Sequence, residues 1–379
     1  MESELKIHFN DLGAQWVEIQ DEALPRLGGV LRSGGYIGGQ ELERFEEEFS
    51  QYTGRKYGIG VSNGTDALKL AIQALECSGP TLVVMPANTY IAAPLSVIQQ
   101  YKGEYEIGLV DIDEYYLMDL SLLEEALIEN RDKYQNCILM PTHLYGHPMD
   151  MPRVSQIAEK YNCYTIEDAS QAHGAISNGE MVGSRSDITV YSLYPGKGLG
   201  AAGDAGIITT DNEEYSRRLK SIRNYGSTKK YIYDDFGWNH RLDSLQAVIL
   251  SEKLKHLDRW NQKKCEIADI YSNLLSGTEE IQLPKIASYV DRHVFHIYCV
   301  QAENREGLIE YLNSVGIPTI MHYPIPIEKT TPFSYLQTAG RNLRTKATCE
   351  KILSLPIHPF MDETQVNYVA EEIKTFYRK

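Results

Sequence analysis

From about residue 58 to residue 210 the chain alternates short apolar runs with amphipathic stretches. The apolar runs predict strands at 58–62, 81–86, 108–112, 137–143, 163–168, 188–194 and 205–210. Amphipathic stretches such as 64–75 and 151–161 predict helices between most of them. Continuous apolar strands separated by helices are typical of a mainly parallel sheet with both faces covered. The pattern therefore predicts an α/β architecture.

After residue 212 the pattern becomes helical. The stretches 211–226, 242–260 and onward to about 275 predict three helices. The last hundred residues mix predicted strands with predicted helices, the strands being 296–302 and 318–323 and the helices 305–316 and 362–377. We predict a large domain over 1–255 and a smaller α+β domain over 256–379, with the boundary somewhere in 250–280.

Composition narrows the class of protein. The six cysteines among 379 residues are scattered without a CxxC pair, which favours buried free thiols in a reducing compartment. No apolar run reaches the roughly 18 residues that a membrane span needs. The N-terminal residues are acidic and polar, unlike a signal peptide. We expect a cytoplasmic protein that does not enter a membrane.

Charge argues against one class of partner. The net charge of −15 is unlike that of proteins that bind a nucleic-acid backbone, which carry basic stripes. A short basic cluster, Lys229-Lys230, suits one diphosphate rather than a duplex. The histidines show no metal-ligand spacing, so no metal site is expected.

The residue with the clearest chemical potential is Lys197, in VYSLYPGKGLGAAGDAG, 29 positions after Asp168 in TIEDASQ. A lysine that traps an aldehyde, with a carboxylate that pairs with a ring nitrogen, is the combination that pyridoxal phosphate (PLP) needs. A Walker A loop is excluded, because Tyr191 and Gly198 stand where Gly and Ser or Thr are required. The GxGxxG run after Lys197 is followed by a strand pattern, which argues against a dinucleotide site. A solvated lysine on a Gly-rich hairpin stays open from these residues alone.

Two further segments have both a functional and a plain structural interpretation. Gly64 and Thr65 begin a helix after a strand, where free N–H groups bind phosphate, although Thr and Asp are also ordinary helix caps. Tyr90 follows the next strand and suits stacking on a heteroaromatic ring, or simple core packing.

Seven motifs carry a resemblance to a known family: SNGTDAL, PANTYIA, HLYGHPMDM, IEDASQAHGA, YSLYPGKGLGAAGDAG, RNYG and GWNHRLDSLQA. Their order and spacing resemble those of the PLP-dependent nucleotide-sugar aminotransferases, the DegT/DnrJ/EryC1/StrS family of fold type I. The resemblance extends from about Gly34 to about residue 361. It implies the fold type I architecture, with a mainly parallel mixed sheet in the large domain.

The resemblance also implies roles for individual residues. Lys197 binds the cofactor covalently and later moves a proton, while Asp168 pairs with the pyridine nitrogen as the cofactor cycles between PLP and pyridoxamine phosphate. The remaining implied cofactor contacts are Gly64, Thr65, Tyr90, Gln171, Ser192 and Asn239. Asn239 is implied to reach the phosphate of a partner subunit, which makes the enzyme a homodimer with shared active sites.

The segment MHYPIP (321–326), together with Tyr194, is similar to family members that act on C3 of dTDP-linked 3-keto-6-deoxyhexoses. The implied reaction uses L-glutamate, releases 2-oxoglutarate and yields the dTDP-3-amino-3,6-dideoxyhexose. His322 and Tyr194 are then expected among the catalytic groups, and Tyr194, His322, Tyr323, Lys229 and Lys230 against the substrate.

Three alternatives remain: a C4 aminotransferase acting on a nucleotide-linked 4-keto-6-deoxyhexose, a sugar dehydratase and a regulator. Dehydratase relatives have histidine where this chain has Lys197, and a regulator calls for a DNA-binding segment or a lost lysine. Two departures from the family pattern are Gly198, where relatives often have Asn, and Ile327-Glu328-Lys329, where they have His-Leu-Gln. The first is expected to loosen the loop, and the second puts the family's substrate contacts there in doubt.

Overall fold

The computed structural model describes residues 6–336 and 342–378. The helices are α1 (Leu12–Ser33), α2 (Gln40–Thr53), α3 (Gly64–Ala74), α4 (Ala92–Ile98), α5 (Leu120–Asn130), α6 (Met151–Tyr161), α7 (Glu213–Ile222), α8 (Ser244–Leu254), α9 (Leu257–Leu275), α10 (Arg305–Ser314), α11 (Leu343–Lys351) and α12 (Glu363–Arg378). The strands are β1 (Tyr57–Val61), β2 (Pro80–Pro86), β3 (Glu104–Val110), β4 (Asn136–Leu139), β5 (Tyr164–Asp168), β6 (Ile176–Ser177), β7 (Glu180–Met181), β8 (Ile188–Ser192), β9 (Gly206–Thr210), β10 (Ser227–Lys229), β11 (Ile232–Tyr233), β12 (Ile281–Gln282), β13 (Val290–Arg292), β14 (Tyr298–Ala302) and β15 (Ile352–Leu355).

A seven-stranded sheet with the order β1-β9-β8-β5-β4-β2-β3 forms the centre of the fold. Strand β9 runs antiparallel to both of its neighbours, and the other pairings are parallel. All seven strands predicted over 58–210 belong to this sheet, so the predicted mainly parallel mixed sheet is confirmed.

Successive residues of β2 show why its run is continuously apolar. Val83 and Met85 pack into the core that contains α3, whereas Leu82 and Val84 pack into the core that contains α5 and α6. Each residue of the strand therefore has an apolar neighbour on one face of the sheet or the other.

The C-terminal part has its own antiparallel sheet, β12-β14-β15. Its core is built from that sheet with α10, α12 and the second half of α9, while Leu257 and Trp260 at the start of α9 pack into clusters of the N-terminal part. The predicted boundary at 255/256 coincides with the turn between α8 and α9 and stays a prediction.

One predicted strand is wrong. Residues 318–323 form no strand, and only Ile320 pairs, through an isolated bridge to Ser354. Prolines at 318, 324 and 326 surround this segment, and a proline has no N–H to donate to a ladder. The segment is instead a loop that reaches the site described below.

The sequence interpretation placed no helix before β1, yet α1 and α2 lie there and pack against α8. Arg26 of α1 forms ion pairs with Glu41 of α2 and with the buried Glu252 of α8. No helix among the described residues combines the length and the apolar character needed to cross a membrane.

Candidate active site

Asp168 is the last residue of β5 and lies where parallel strands end at one edge of the sheet. It pairs with Val190 of the neighbouring strand β8 and is 6% exposed. The backbone N–H of Ser170 donates to its Oδ1 over 3.1 Å, and its carbonyl accepts from the N–H of His143. These bonds hold the carboxylate at the carboxyl end of the sheet, where ligands of open α/β folds bind.

Lys197 lies in the turn after β8, with its N–H donating to the carbonyl of Tyr194. Nearby elements hold this turn: Asn10 Nδ2 donates to the carbonyl of Gly196, and the buried Lys253 of α8 donates to that of Gly200 over 2.7 Å. Burial lowers the pKa of Lys197 to about 8, while the charge of Asp168 acts in the opposite direction. A lysine with a lowered pKa is available as a neutral nucleophile near pH 7, unlike a solvated loop lysine.

The start of α3 forms an anion cradle. Asn63 caps the helix by accepting from the N–H of Asp66 over 2.8 Å, which leaves the N–H groups of Gly64 and Thr65 directed out of the helix end. A Cβ on Gly64 would lie 2.6 Å from Cβ of Ser192, so the helix end sits directly against the hydroxyl-bearing end of β8. Together with the helix dipole, these groups can bind a phosphate.

The same cradle contains a carboxylate, that of Asp66, and it has its own partners. Asp66 accepts from Ser62 Oγ and Asn63 Nδ2 and lies 3.1 Å from His240 Nδ1. Burial raises the pKa of Asp66, but the bonds from His240 and Ser62 outweigh burial and leave its pKa below the usual value. The carboxylate is thus engaged by neighbours rather than free to repel an anion.

Aromatic rings cover the space above Asp168. The rings of Tyr90 and Tyr323 lie 5.5 Å apart, and Gln171 Nε2 donates to Tyr323 Oη over 3.2 Å. Gln171 Oε1 accepts from the N–H of Tyr145, which fixes its orientation. Tyr90 is 54% exposed, so its ring is not part of the core and is available for stacking.

His322 lies on the opposite wall. Its Nδ1 is 2.8 Å from Ser354 Oγ, and Tyr145 Oη donates to its carbonyl. Burial, with the charge of Lys197, lowers the pKa of His322 to about 4, so the ring is neutral near pH 7. Tyr194, 58% exposed, lies at the rim.

A cavity of about 740 Å³ connects these groups. The sequence-predicted residues that line it are Gly64, Thr65, Tyr90, Asp168, Gln171, Ser192, Tyr194, Lys197, His322 and Tyr323. Three others do not line it: Lys229, Lys230 and Asn239. All three are exposed, the two lysines at the β10–β11 hairpin. Their roles in binding a cofactor or substrate stay predictions.

Further lining residues were not singled out from the sequence: Phe9, Asn10, Asn63, Asp66, Thr142, Ser170 and His296. Asn63 and Ser170 lie inside two of the seven motifs that resemble the family, so the sequence did contain an indication of their place in the site. Phe9 and Asn10 had no such signal, because they reach the cavity from the N-terminal segment. At the second departure from the family pattern, Ile327 is buried in the core and Glu328 is buried beside Asn342, so neither lines the cavity.

Comparisons with known proteins agree with this geometry. The model of the DegT/DnrJ/EryC1/StrS aminotransferase family matches residues 17–374. The dTDP-3-amino-3,6-dideoxy-alpha-D-galactopyranose transaminase of Aneurinibacillus thermoaerophilus is 41% identical over 98% of this chain and 99% of its own. The UDP-N-acetyl-3-dehydro-alpha-D-glucosamine 3-aminotransferase of Acidithiobacillus ferrooxidans is 37% identical over 96% of both chains.

The crystal structure of DesV from Streptomyces venezuelae in complex with a ketimine intermediate superposes with a TM-score of 0.93, at 35% identity and with 99% of both chains covered. Enzymes of this family are PLP-dependent sugar aminotransferases. With the family model matching nearly the whole length, the chain belongs to the DegT/DnrJ/EryC1/StrS aminotransferase family.

Proposed function

We propose that this aminotransferase transfers an amino group from L-glutamate to C3 of a dTDP-linked 3-keto-6-deoxyhexose, giving the dTDP-3-amino-3,6-dideoxyhexose and 2-oxoglutarate. The observation that carries the proposal is that Lys197, Asp168, His322 and Tyr323 all line the same cavity of about 740 Å³. A cavity of that size suits a nucleotide-linked sugar. The relatives from A. thermoaerophilus and A. ferrooxidans are both named for an amino group at position 3 of a nucleotide sugar.

The residues present fit PLP. The N–H groups of Gly64 and Thr65, with the hydroxyl of Ser192, would hold its phosphate, and the Asp168 carboxylate would hold its pyridine nitrogen protonated. Tyr90 would cover one face of the ring, with Gln171 near the ring hydroxyl. When bound, the cofactor supplies an aldehyde that carries the amino group and a ring that accepts electrons.

Lys197 has two tasks in the proposed reaction. Its amine attacks as the neutral base, which the pKa of about 8 makes accessible near neutral pH. The same Nζ then moves the proton between the amino-bearing carbon of the substrate and the cofactor. Proton transfer by a positioned side chain contributes about 10²–10⁴-fold to the rate of such reactions.

The wall opposite the lysine would position the sugar. The pKa of about 4 keeps the ring of His322 neutral, so it can donate or accept one hydrogen bond without adding charge beside Lys197. Gln171 holds the hydroxyl of Tyr323, and Tyr194 at the rim can cover a sugar that has entered. The MHYPIP segment that contributes His322 and Tyr323 supports the C3 position.

A second copy of the chain completes the site in this proposal. Asn239 and the β10–β11 hairpin lie outside the cavity of their own chain, and aromatic side chains beside them are strongly exposed. Tyr231 is 76% and Phe236 is 68% exposed, which is more apolar surface than an isolated hairpin ordinarily carries. Their burial against a second copy would bring Asn239 to the phosphate of the partner's cofactor.

Regiochemistry is tested by supplying L-glutamate with either dTDP-3-keto- or dTDP-4-keto-6-deoxyglucose and locating the new amino group by NMR. We expect turnover of the 3-keto sugar and an amino group at C3. Turnover of the 4-keto sugar alone would retain the enzyme class and overturn the C3 assignment.

A further inference from the structure

Behind Lys197, on the side away from Asp168, lies a second and much smaller chamber of about 20 Å³. Its nitrogen-bearing side chains are those of Lys197, Lys264, His296 and His358, together with Asn10, Gln15 and Trp260. No aspartate or glutamate of the described residues lines it. A space of this size holds one water molecule or one monoatomic ion.

Lys264 is the unusual member of this group. It is buried on α9, and no hydrogen bond or ion pair is formed by its Nζ among the described residues. Burial lowers the pKa of Lys264 to about 8. Among the described residues, Cys265 is the one neighbour that raises this pKa. At pH 7 an amine with that pKa is still about nine-tenths protonated. A buried ammonium group without a partner is costly, so a counterion is favoured.

In the part of the chain that the structure describes, the neighbours of Lys264 in the chamber include basic side chains and no carboxylate. Besides burial, the neighbouring charged groups that lower the pKa of His296 are all basic: Lys197, Lys264, His322 and His173. His358 forms part of the chamber wall, but both of its ring nitrogens are fully buried and do not face the chamber. Against the effect of burial, the charge of Asp168 raises the pKa of Lys197, and the charge of Asp11 raises that of His358. Neither carboxylate affects the pKa of Lys264 or of His296.

The polar side chains at the edge are already engaged elsewhere. Asn10 Nδ2 donates to the carbonyl of Gly196, Gln15 Oε1 accepts from Lys253, and the indole N–H of Trp260 donates to Glu18. The acceptor oxygen of Gln15 is therefore turned toward Lys253 and not toward Lys264. The chamber thus offers N–H donors and, among the described residues, no carboxylate.

Gly198 helps to leave this space open. A Cβ at position 198 would lie 3.8 Å from both Lys264 Nζ and His173 Nδ1, which is ordinary contact, and the backbone there is not left-handed. A larger residue can therefore be built at this position, where it would extend toward Lys264. The absence of a side chain leaves the ammonium group facing an unfilled volume.

We propose that this chamber is a halide site, occupied by one chloride ion held by Lys264 and His296. The ion would supply the negative charge that the surrounding residues lack. Because Lys197 lines the same chamber, a bound halide favours its protonated form. Halide would thus shift the pH at which Lys197 becomes nucleophilic upward. The binding claim is independent of the proposed reaction, whereas the effect on Lys197 rests on it.

Crystals of the full chain grown with sodium bromide in place of sodium chloride test the site by anomalous scattering at the bromine edge. We expect a peak within hydrogen-bonding distance of Lys264 Nζ and His296. Lys264→Met should lose the peak, because it keeps the chain length and removes the charge. Gly198→Asn should also lose it by filling the chamber while Lys264 stays in place. Lys255→Met, at a half-exposed lysine outside the chamber, is the matched control and should keep it.

Chloride-35 NMR line broadening on the same proteins in solution separates true binding from occupancy at crystal concentration only. We expect broadening by the unaltered chain and by Lys255→Met, and its loss in both chamber variants. Density at the chamber without anomalous signal would assign it to water and overturn the proposal. Equal broadening by the unaltered chain and both chamber variants would also overturn it.

Discussion

Gly64 and Ser192 meet at the phosphate cradle, where the first residue of α3 touches the last residue of β8 so closely that a Cβ on Gly64 would lie 2.6 Å from Cβ of Ser192. Gly64→Ala must therefore push the helix end away from the strand. We expect a loss of about 1–3 kcal/mol in the free energy of unfolding, as for other overpacked sites. We also expect weaker PLP affinity, measured by fluorescence titration of the cofactor-free protein.

The matched control is Gly29→Ala. Gly29 lies inside α1, and a Cβ there would meet nothing within 4 Å. Alanine is favoured over glycine in helix interiors by roughly 0.5–1 kcal/mol, so this variant should be at least as stable as the unaltered chain and bind PLP normally. Equal PLP affinity in both variants would remove Gly64 from the cradle.

The capture of PLP by Lys197 should depend on pH with a midpoint near the lowered pKa. That pKa is about 8 because burial disfavours the ammonium form. Only the neutral amine attacks, so the rate should rise about tenfold per pH unit below the midpoint and level off above it. Stopped-flow absorbance measures this rate on the cofactor-free protein.

Asp168→Asn tests whether the charge of Asp168 contributes to the pKa of Lys197. The Asp168 charge raises the pKa of Lys197 against the effect of burial, so its removal should move the midpoint to lower pH. A midpoint near 10.5, the ordinary value for lysine, in both proteins would show that Lys197 is solvated.

Shared active sites predict complementation between two inactive variants. In a mixed dimer of Lys197→Ala and Asn239→Ala chains, one site has both changes and the other has neither. Random exchange of equal amounts makes half of the dimers mixed, so about a quarter of the unaltered activity should return. The assay is turnover after the two proteins are unfolded and refolded together. Activity that stays at the level of the separate variants would contradict a shared site.

The strand that presents Asp168 depends on a buried hydrogen bond one residue earlier, between the Glu167 carboxylate and the Nε2–H of His143, whose Nδ1 accepts from the N–H of Met149. Glu167 Oε1 lies 2.7 Å from His143 Nε2 and accepts from the N–H of Gly183, and both side chains of the pair are fully buried. Loss of a hydrogen bond to a buried charged group costs about 1.5–3 kcal/mol, which is the loss we expect for Glu167→Ala in urea unfolding. Glu180→Ala breaks the exposed pair with Arg185 and should cost under about 1 kcal/mol.

The Glu167–His143 contact also predicts how the stability of the protein changes at acid pH. Burial raises the pKa of Glu167, but the bond from His143 outweighs it and leaves the pKa below the ordinary value of 4.5. A carboxyl whose pKa is lowered by folding stabilises the protein above its unfolded pKa. That stability is lost as the pH falls through the folded pKa, so the difference between the unaltered chain and Glu167→Ala should shrink below about pH 4.5.

The central sheet could be predicted because its strands are buried on both faces and appear as continuous apolar runs. The same rule failed at 318–323, where an apolar run is part of a loop that presents His322 to the cavity. Hydrophobic pattern does not distinguish a strand from a partly exposed loop when prolines at 318, 324 and 326 remove ladder donors.

Ten of the residues that the family resemblance implies for the site line one cavity, and their catalytic and binding roles stay predictions. Contacts of Phe9, Asn10 and Lys264 with the site could not be predicted in this way. The bond from Asn10 to Gly196 joins residues 186 positions apart, and Lys264 lies on a helix whose amphipathic pattern does not indicate what its buried face touches. Such contacts depend on how separate elements pack, which no local pattern encodes.

The most direct test of the account is the visible spectrum of the PLP-loaded protein as L-glutamate and then dTDP-3-keto-6-deoxyglucose are added. We expect glutamate to bleach the absorbance of the lysine-bound cofactor and the keto sugar to restore it. Lys197→Ala should lack the lysine-bound band and should convert the two substrates at least about 10²-fold more slowly, because proton transfer is lost. Absence of a lysine-bound absorbance band in the unaltered protein, or normal cycling by Lys197→Ala, would contradict the account.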